Sequence, residues 1–370
     1  MRTTGVDLDD PSGLIDADVD GLLHTAARAG AQVRAVAEAV REGVTEPLAG
    51  LRPRSVVIVT GASVAAAQSA RFVIAHTAAR LDVPLVSTPA LPGWIGPLDV
   101  VVLLGDDAGD LALADAASRA TRRHAELVVV APLEGPLASA VAGRGIDLAP
   151  RVVVGEQFRF VGHVAALIAV CQGLTQVRYV AGDLDMDRLA DALDAESARN
   201  HPSHDVYGAP AKTLVERIGS ATPVFCGDSP AGDALAARTA STLFALGGVA
   251  AGAVDLASAM TRLLRDGGGA GVDSLFHDPE IDGPLPPRAQ LFVLSTPGRQ
   301  WLARRRVAAL PGAEVLVGTA PDAGEEQPRE PVEPGSAVES DEGAEALISY
   351  LVLAARLEMT AVYAQLLGAR

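Results

Sequence analysis

Lysine is almost missing from this sequence: Lys212 stands alone among 30 basic residues, the rest being arginine. With alanine and glycine abundant, this is the codon signature of a GC-rich genome and says little about function. Positive charge is scarce too, with 46 acids against 30 bases and a net charge of −16. Nucleic acids and anionic membranes bind through a basic face that releases counterions, so no nucleic-acid or membrane partner is expected. The two cysteines, Cys171 and Cys226, form no motif, which leaves no disulfide framework and no thiolate metal site. Their apolar neighbours mark them as inert core thiols. The first residues carry acids where a secretory signal has a basic stretch and an apolar core, so a cytoplasmic location is expected. The most apolar window, Leu347 to Leu367, holds Arg356 and Glu358 at mid-length, costly in a bilayer and ordinary on an amphipathic helix. What the chain does have is length and apolar content: 370 residues, 49% of them hydrophobic, can build two cores.

The strongest positive signal is Leu98-Asp-Val-Val-Val-Leu-Leu-Gly-Asp-Asp-Ala-Gly-Asp110, an unbroken apolar run that ends at a glycine. A continuous rather than alternating run is the mark of a parallel strand covered on both faces. In open α/β sheets the loop at the carboxyl end of such a strand is the usual ligand site. Here that loop carries Asp106, Asp107 and Asp110 with no basic residue beside them, so it repels a phosphate.

Around this strand the pattern alternates. A helical lead-in from Leu14 to Glu42, with Gly30 and Gly43 as breaks, precedes the strand Ser55 to Thr60, the turn Gly61-Ala62-Ser63 and an alanine-rich helix to about Arg80. Strands follow at Val83 to Thr88, Asp99 to Leu104, Glu126 to Ala131 and Ile146 to Val154. Helices are expected near Leu111 to His124, Leu133 to Ala142 and Glu156 to Gln172. Such alternation predicts a doubly wound parallel sheet. A second series runs through the helix Ala211 to Ile218, the strand Pro223 to Gly227, the helix Gly232 to Leu246, and strands at Ala289 to Ser295 and Ala313 to Val317. The expected plan is a lead-in over 1–50, a first α/β domain over 51–182, a linker over 183–210 and a second α/β domain over 211–318. An acidic, proline-rich disordered linker over 319–342 and a C-terminal helix over 343–370 packing on the second domain complete it.

Each candidate for chemistry has a bland alternative. The turn Thr60-Gly61-Ala62-Ser63 invites a dinucleotide reading, but Ala65 and Ala67 stand where later glycines belong. Tyr207 and Lys212 are five apart with Pro210 between them, which fails the dehydrogenase pattern. What survives is a glycine and a serine at a helix N-terminus, able to hold a small anion through amides and a hydroxyl. His201 and His204 in a proline-containing loop lack further metal ligands. His277, between acids, is either a tuned general base or part of a polar turn. The three loop aspartates either bind a hard cation or cap the next helix, and Asp107 or Asp110 is the expected cap. No metal and no cofactor is expected.

Taken together, tandem doubly wound units, Gln157-Phe-Arg-Phe-Val-Gly162 opening the last helix of the first, Gly208-Ala-Pro-Ala-Lys212 opening the second, and Thr360-Ala-Val-Tyr-Ala364 on a final helix resemble the sugar-isomerase (SIS) domain proteins. Within them the chain is most similar to the bifunctional phosphoglucose/phosphomannose isomerases. The resemblance implies two tandem SIS-type, flavodoxin-like doubly wound sheets, a sugar or sugar-phosphate ligand and a homodimer. It implies that Arg159 is an active-site arginine, with Phe158 in place of a proline, and that Gly61, Ala62 and Ser63 form the first glycine-rich turn, with Lys212 beside the ligand. The family's Ser-x-Ser-Gly-x-Thr phosphate loop is replaced by Gly105-Asp-Asp-Ala-Gly-Asp110. Its catalytic Glu falls in Arg238 to Phe244, where no carboxylate is available, and its ring-opening His falls in Leu256 to Met260, which has none. Its terminal Lys would lie beyond Arg370. The expected function is therefore carbohydrate-derivative binding with the isomerase mechanism impaired or lost. The alternatives are a working phosphoglucose or phosphomannose isomerase using relocated groups, with Arg159 and His277 the candidates, or a regulatory sugar sensor.

Overall fold

The computed structural model describes residues 6–180, 182–265, 289–319 and 343–368. His277 lies outside them, as does the expected acidic linker from residue 320 to residue 342. The chain divides into two compact units: residues 28–194 form the body of one, and the described residues up to 27, from 195 to 319 and from 345 onward form the other.

The lead-in expected from Leu14 to Glu42, broken at Gly30, is three helices: α1 (Pro11–Ala17), α2 (Leu22–Ala26) and α3 (Ala29–Arg41). Gly21 takes a left-handed φ of 64°, and the Asp18 carboxylate accepts the Leu22 and Leu23 amides at 2.7 and 2.9 Å, which starts α2 afresh. Gly43, at a φ of 82°, follows α3 as the sequence suggested.

In the first unit, α3 is followed by β1 (Ser55–Val59), α4 (Val64–Thr77), β2 (Leu85–Thr88), β3 (Asp99–Leu104), α5 (Leu111–Arg122), β4 (Glu126–Val130), α6 (Gly135–Val141), β5 (Ile146–Asp147), α7 (Phe160–Gly173) and α8 (Met186–Arg199). All strand pairings are parallel, in the order β2-β1-β3-β4-β5. Every residue of β1 and of β3 is buried, as a strand covered on both faces requires. Val57, Val59, Val101, Leu103 and Val129 pack against Leu113, Ala116 and Leu137 of α5 and α6. The residues between them face the opposite side of the sheet. Gly30 does not break α3. A Cβ there would stand 2.1 Å from Asp194 Oδ1 and 2.8 Å from the Ala190 carbonyl, so the glycine admits α8 at close range. β5 is shorter than expected because the Asp147 carboxylate takes the Ala149 amide at 2.9 Å and Pro150 has no N–H to offer.

The second unit contains α1 and α2, the end of α8, α9 (Pro210–Gly219), β6 (Thr222–Gly227), α10 (Pro230–Ala245), β7 (Gly252–Ala253), α11 (Leu256–Arg265), β8 (Ala289–Ser295), α12 (Gln300–Val307), β9 (Glu314–Val317) and α13 (Ala344–Leu366). Its sheet is again parallel, ordered β7-β6-β8-β9, with Phe225 and Phe292 stacked at 5.3 Å on adjacent strands. Among the described residues α13 alone is long and apolar enough to cross a membrane, and 94% of its apolar window is buried within the protein. Its buried polar residues are engaged. Arg356 binds Glu196 at 2.6 and 3.0 Å, Tyr363 donates to the Asn200 carbonyl at 2.7 Å, and Ser349 donates to the Gly318 carbonyl at 2.6 Å.

One buried base in the first unit fixes an acid limit. His76 of α4 stacks on Phe72 at 6.3 Å, and its Nε2 has no hydrogen-bond partner among the described residues. Burial, helped by Arg80, pulls its pKa down from 6.5 to about 4. A depressed base gives stability that is complete above its unfolded value and is lost as the pH falls toward its folded value. Denaturant unfolding should therefore show about 3 kcal/mol lost through His76 between pH 6.5 and 4. The His76→Gln protein should show a correspondingly shallower acid slope; identical slopes would remove His76 from the account.

Candidate functional site

In the first sheet the strand order reverses between β1 and β3, and this is where a doubly wound fold opens a crevice at its carboxyl edge. Three segments meet there: the turn 61–63, the loop 105–110 and the turn 155–159 that leads into α7. Gly61 has a φ of 55°, and a Cβ on it would stand 2.1 Å from Asp110 Oδ2, so glycine is required both for its conformation and for room.

Two amides and the cap hydroxyl at the start of α4 face carboxylates of the chain. The Ala62 amide binds Asp110 Oδ2 at 2.9 Å, and the Val64 amide binds Glu156 Oε1 at 3.2 Å. Ser63, the N-cap, accepts from the Ala66 amide at 3.0 Å and donates its hydroxyl to Asp106 Oδ2. The other oxygen of Asp106 lies 3.1 Å from Arg159 Nε and 3.5 Å from His163 Nε2. These groups are well enclosed, with side chains 12% exposed for Arg159, 11% for Asp106 and 2% for His163. Burial pushes the Asp106 carboxyl above its usual value and nearby Glu156 adds to this, against the pull of Ser63 and Arg159.

Asp110 also caps α5, accepting the Ala112 amide at 2.7 Å, which is the capping role its position suggested. Asp107 is exposed and holds only the Gly109 amide, at 2.7 Å, within its own turn. The expectation that the acidic loop has no basic neighbour is corrected: Arg159 reaches it from the start of α7 and pairs with Asp106, not with Glu156. Behind Arg159 and His163 a cavity of about 30 Å³ borders Gln32 and Ala166. It has room for one or two waters. Sequence reasoning missed His163 and the role of Glu156. The spacing from Arg159 to His163, one helical turn on the same face of α7, was the available signal.

An anion-binding set has thus been assembled from helix amides, a hydroxyl and a guanidinium, and the chain's own carboxylates occupy it. Neither a protein-family model nor a curated protein sequence matches this chain. Solved structures do. A protein of Clostridium novyi NT provisionally described as a tagatose-6-phosphate ketose/aldose isomerase aligns over 96% of this chain and 91% of its own, at 13% identity and a TM-score of 0.57. A Bacillus subtilis protein provisionally described as a phosphosugar isomerase aligns over 92% and 95%, at 16% identity and a TM-score of 0.52. The C-terminal domain of glucosamine-fructose-6-phosphate aminotransferase from Francisella tularensis aligns over 97% of both chains, at 12% identity and a TM-score of 0.50.

The fold is the tandem SIS fold. Its second sheet carries a comparable self-neutralised cluster. At the β6–β8 reversal Asp228 Oδ2 accepts Ser295 Oγ at 2.9 Å and lies 3.1 Å from Arg299 Nε, while Arg299 also donates to the Asp228 carbonyl at 2.6 Å. Burial raises the Asp228 carboxyl despite both partners. Lys212, expected at the ligand, is fully enclosed in this unit of the SIS fold. Its Nζ donates to the Leu8, Pro202 and His204 carbonyls at 2.6, 2.8 and 2.6 Å, so all three donors are spent on tying the N-terminal segment to the 202–204 loop. The stretch Arg238 to Phe244 has no carboxylate of its own, but packing brings one to it. Glu358 of α13 stands 2.5 Å from Arg238 of α10, but burial of both seals it from any substrate and pushes it up to about 7. His201 Nδ1 is held by Ser203 Oγ at 2.8 Å in its own turn, and burial pushes the thiols of Cys171 and Cys226 up to about 12.

The enclosed Asp106–Arg159 pair makes a direct prediction. Removing either partner leaves the other charge poorly solvated, so Arg159→Ala and Asp106→Ala should each destabilise the protein. The double variant should lose less than their sum, with a coupling of about 1–3 kcal/mol in denaturant unfolding. Additive losses would mean that the pair is not formed in solution.

Proposed function

We propose that this protein binds a carbohydrate derivative on its SIS scaffold and does not operate as a phosphosugar isomerase. The observation that carries this reading is the occupation of the α4 N-terminus by Asp106, Asp110 and Glu156. A phosphate entering there must displace carboxylates from donors they already hold, and each remaining carboxylate opposes it by about 1 kcal/mol even when well solvated. The chemistry is impaired independently. Aldose–ketose isomerisation moves a proton from the carbon next to the carbonyl, which needs a base within reach. Along Arg238 to Phe244 the carboxylate at hand is Glu358, sealed in the core with Arg238. Leu256 to Met260 on α11 offers no histidine for ring opening.

Exposed Asp107 and Glu156 suit a different ligand. They accept hydrogen bonds from sugar hydroxyls or from the ammonium of an amino sugar. A cytoplasmic homodimer belongs to the same reading, supported by the resemblance to SIS proteins, and light scattering of the purified chain tests the dimer.

The unmodified protein should show no turnover of glucose-6-phosphate or mannose-6-phosphate in a coupled assay, and a thermal shift with glucosamine exceeding that with either phosphosugar. Asp106→Ser combined with Glu156→Ala frees Ser63, Arg159 and the Val64 amide. It should raise affinity for both phosphosugars about tenfold or more, by removing two opposing charges, without creating turnover. Robust turnover by the unmodified protein, lost on His277→Ala, would overturn the proposal and name the base.

A further inference from the structure

Of the three carboxylates that hold the start of α4, Asp106 is held differently. Asp110 and Glu156 accept backbone amides, whose hydrogens point in a fixed direction. Asp106 Oδ2 instead takes the Ser63 hydroxyl, whose hydrogen can turn about the C–O bond. Ser63 Oγ accepts one amide, from Ala66 at 3.0 Å, and a hydroxyl oxygen has two lone pairs. A proton on Asp106 Oδ2 therefore reverses the bond: the carboxyl donates to Ser63 Oγ, and the serine hydrogen is released.

The same proton changes the charge. Asp106 Oδ1 lies 3.1 Å from Arg159 Nε, the cation that the carboxylate neutralises, and 3.5 Å from His163 Nε2. The other charges around it are acidic: Glu156 from the turn before α7, and Asp107 and Asp110 from its own loop. Once Asp106 is neutral, Arg159 loses its countercharge in a place where water screens it poorly. Burial already holds the Asp106 carboxyl above its usual value, so the proton is within reach of mild acid. Resting on the reading that the chain's carboxylates occupy an anion-binding set, we propose that Asp106 is a proton-operated gate on this crevice. Ionised, it holds Ser63 and Arg159 and keeps the mouth acidic; protonated, it gives up a hydroxyl hydrogen and a guanidinium to a small oxyanion from solution. The coupling is reciprocal: an anion in the crevice raises the proton affinity of Asp106 by the factor by which the proton raises affinity for the anion. Acidity thus turns the crevice from hydroxyl-rich and cationic ligands toward anionic ones.

Sulfate is the probe, because its own charge does not change across the range used. Titration calorimetry of the full chain between about pH 5 and 7.5 should show a Kd that falls toward acid by up to about tenfold per pH unit, the limit for uptake of one proton. Repeating it in buffers of different ionisation enthalpy counts that proton on the unmodified protein, whatever the variants do to folding. Asp106→Asn cannot ionise, and its amide can donate to Ser63 as the acid would, so it should bind sulfate with the acid-limit affinity at every pH. Arg159→Ala should lose the pH-dependent binding. His163→Gln and Glu156→Gln should shift the affinity but keep the slope. A Kd flat with pH, no proton taken up, or a slope that survives Asp106→Asn or vanishes in His163→Gln would each overturn the gate. The thermal shift with glucosamine at about pH 7.5 separates this proposal from the sugar reading. A retained glucosamine response with a flat sulfate Kd refutes the gate alone, and a sloping sulfate Kd without a glucosamine response supports the gate and refutes sugar binding.

Discussion

The amides in the first turn of a helix have no acceptor inside that helix, and whatever supplies one decides what the loop around them can do. At α4 the Ser63 hydroxyl takes one amide, and carboxylates drawn from the loop after β3 and from the turn before α7 take the Ala62 and Val64 amides, with Ser63 itself tied to a further one. The local geometry follows from this convergence. Asp110 binds the turn after β1 while starting α5, so the β1–α4 and β3–α5 connections are locked to one another. Glu156 brings the turn before α7 onto α4, and Arg159 of that turn compensates Asp106. A crevice that in many doubly wound proteins is kept open for a ligand's phosphate is here filled by the chain's own carboxylates.

The second sheet reaches a comparable end by a different route. In the first sheet the serine follows β1 and the aspartate follows β3; in the second the aspartate follows β6 and the serine ends β8. The arginine comes from the start of α7 in one case and from the turn after β8 in the other. Inheritance of a single ancestral triad would have kept the residues on corresponding strands. The exchange points to a physical requirement, neutralisation of a donor-rich strand end, met separately in each unit. Both aspartates are held with raised proton affinity because burial outweighs their partners. The clusters organise the chain more than they stabilise it, since a buried pair recovers little beyond the cost of its own desolvation.

Much of the fold was legible in the sequence. The unbroken apolar run from Val100 to Leu104 declared a strand covered on both faces, and alternation declared a doubly wound sheet, because both follow from burial patterns that act locally. Asp110 as a helix cap was legible for the same reason. What stayed hidden depended on distant residues. Nothing near Gly30 announces that α8 lies against it. The Asp106–Arg159 pair closes over 53 residues, and the enclosure of Lys212 depends on Leu8, which is 204 residues away. Glu358 beside Arg238 is the clearest case, since Arg238 to Phe244 contains no acid and only the packing of α13 brings one there.

The position of α13 bears on how the protein is made. It is the last described helix in order of synthesis, yet it forms the middle of its unit: Glu196 waits 160 residues for Arg356, and Arg238 waits 120 for Glu358. As a ribosome delivers the chain at about 5–20 residues per second, the first unit can close once residue 194 has emerged, while in the second the buried polar groups of α8 and α10 that meet α13 stay uncovered for many seconds more. During that interval the surface that α13 will cover is within reach of chaperones and of other nascent chains, and the abundance of acid in the chain acts against premature association.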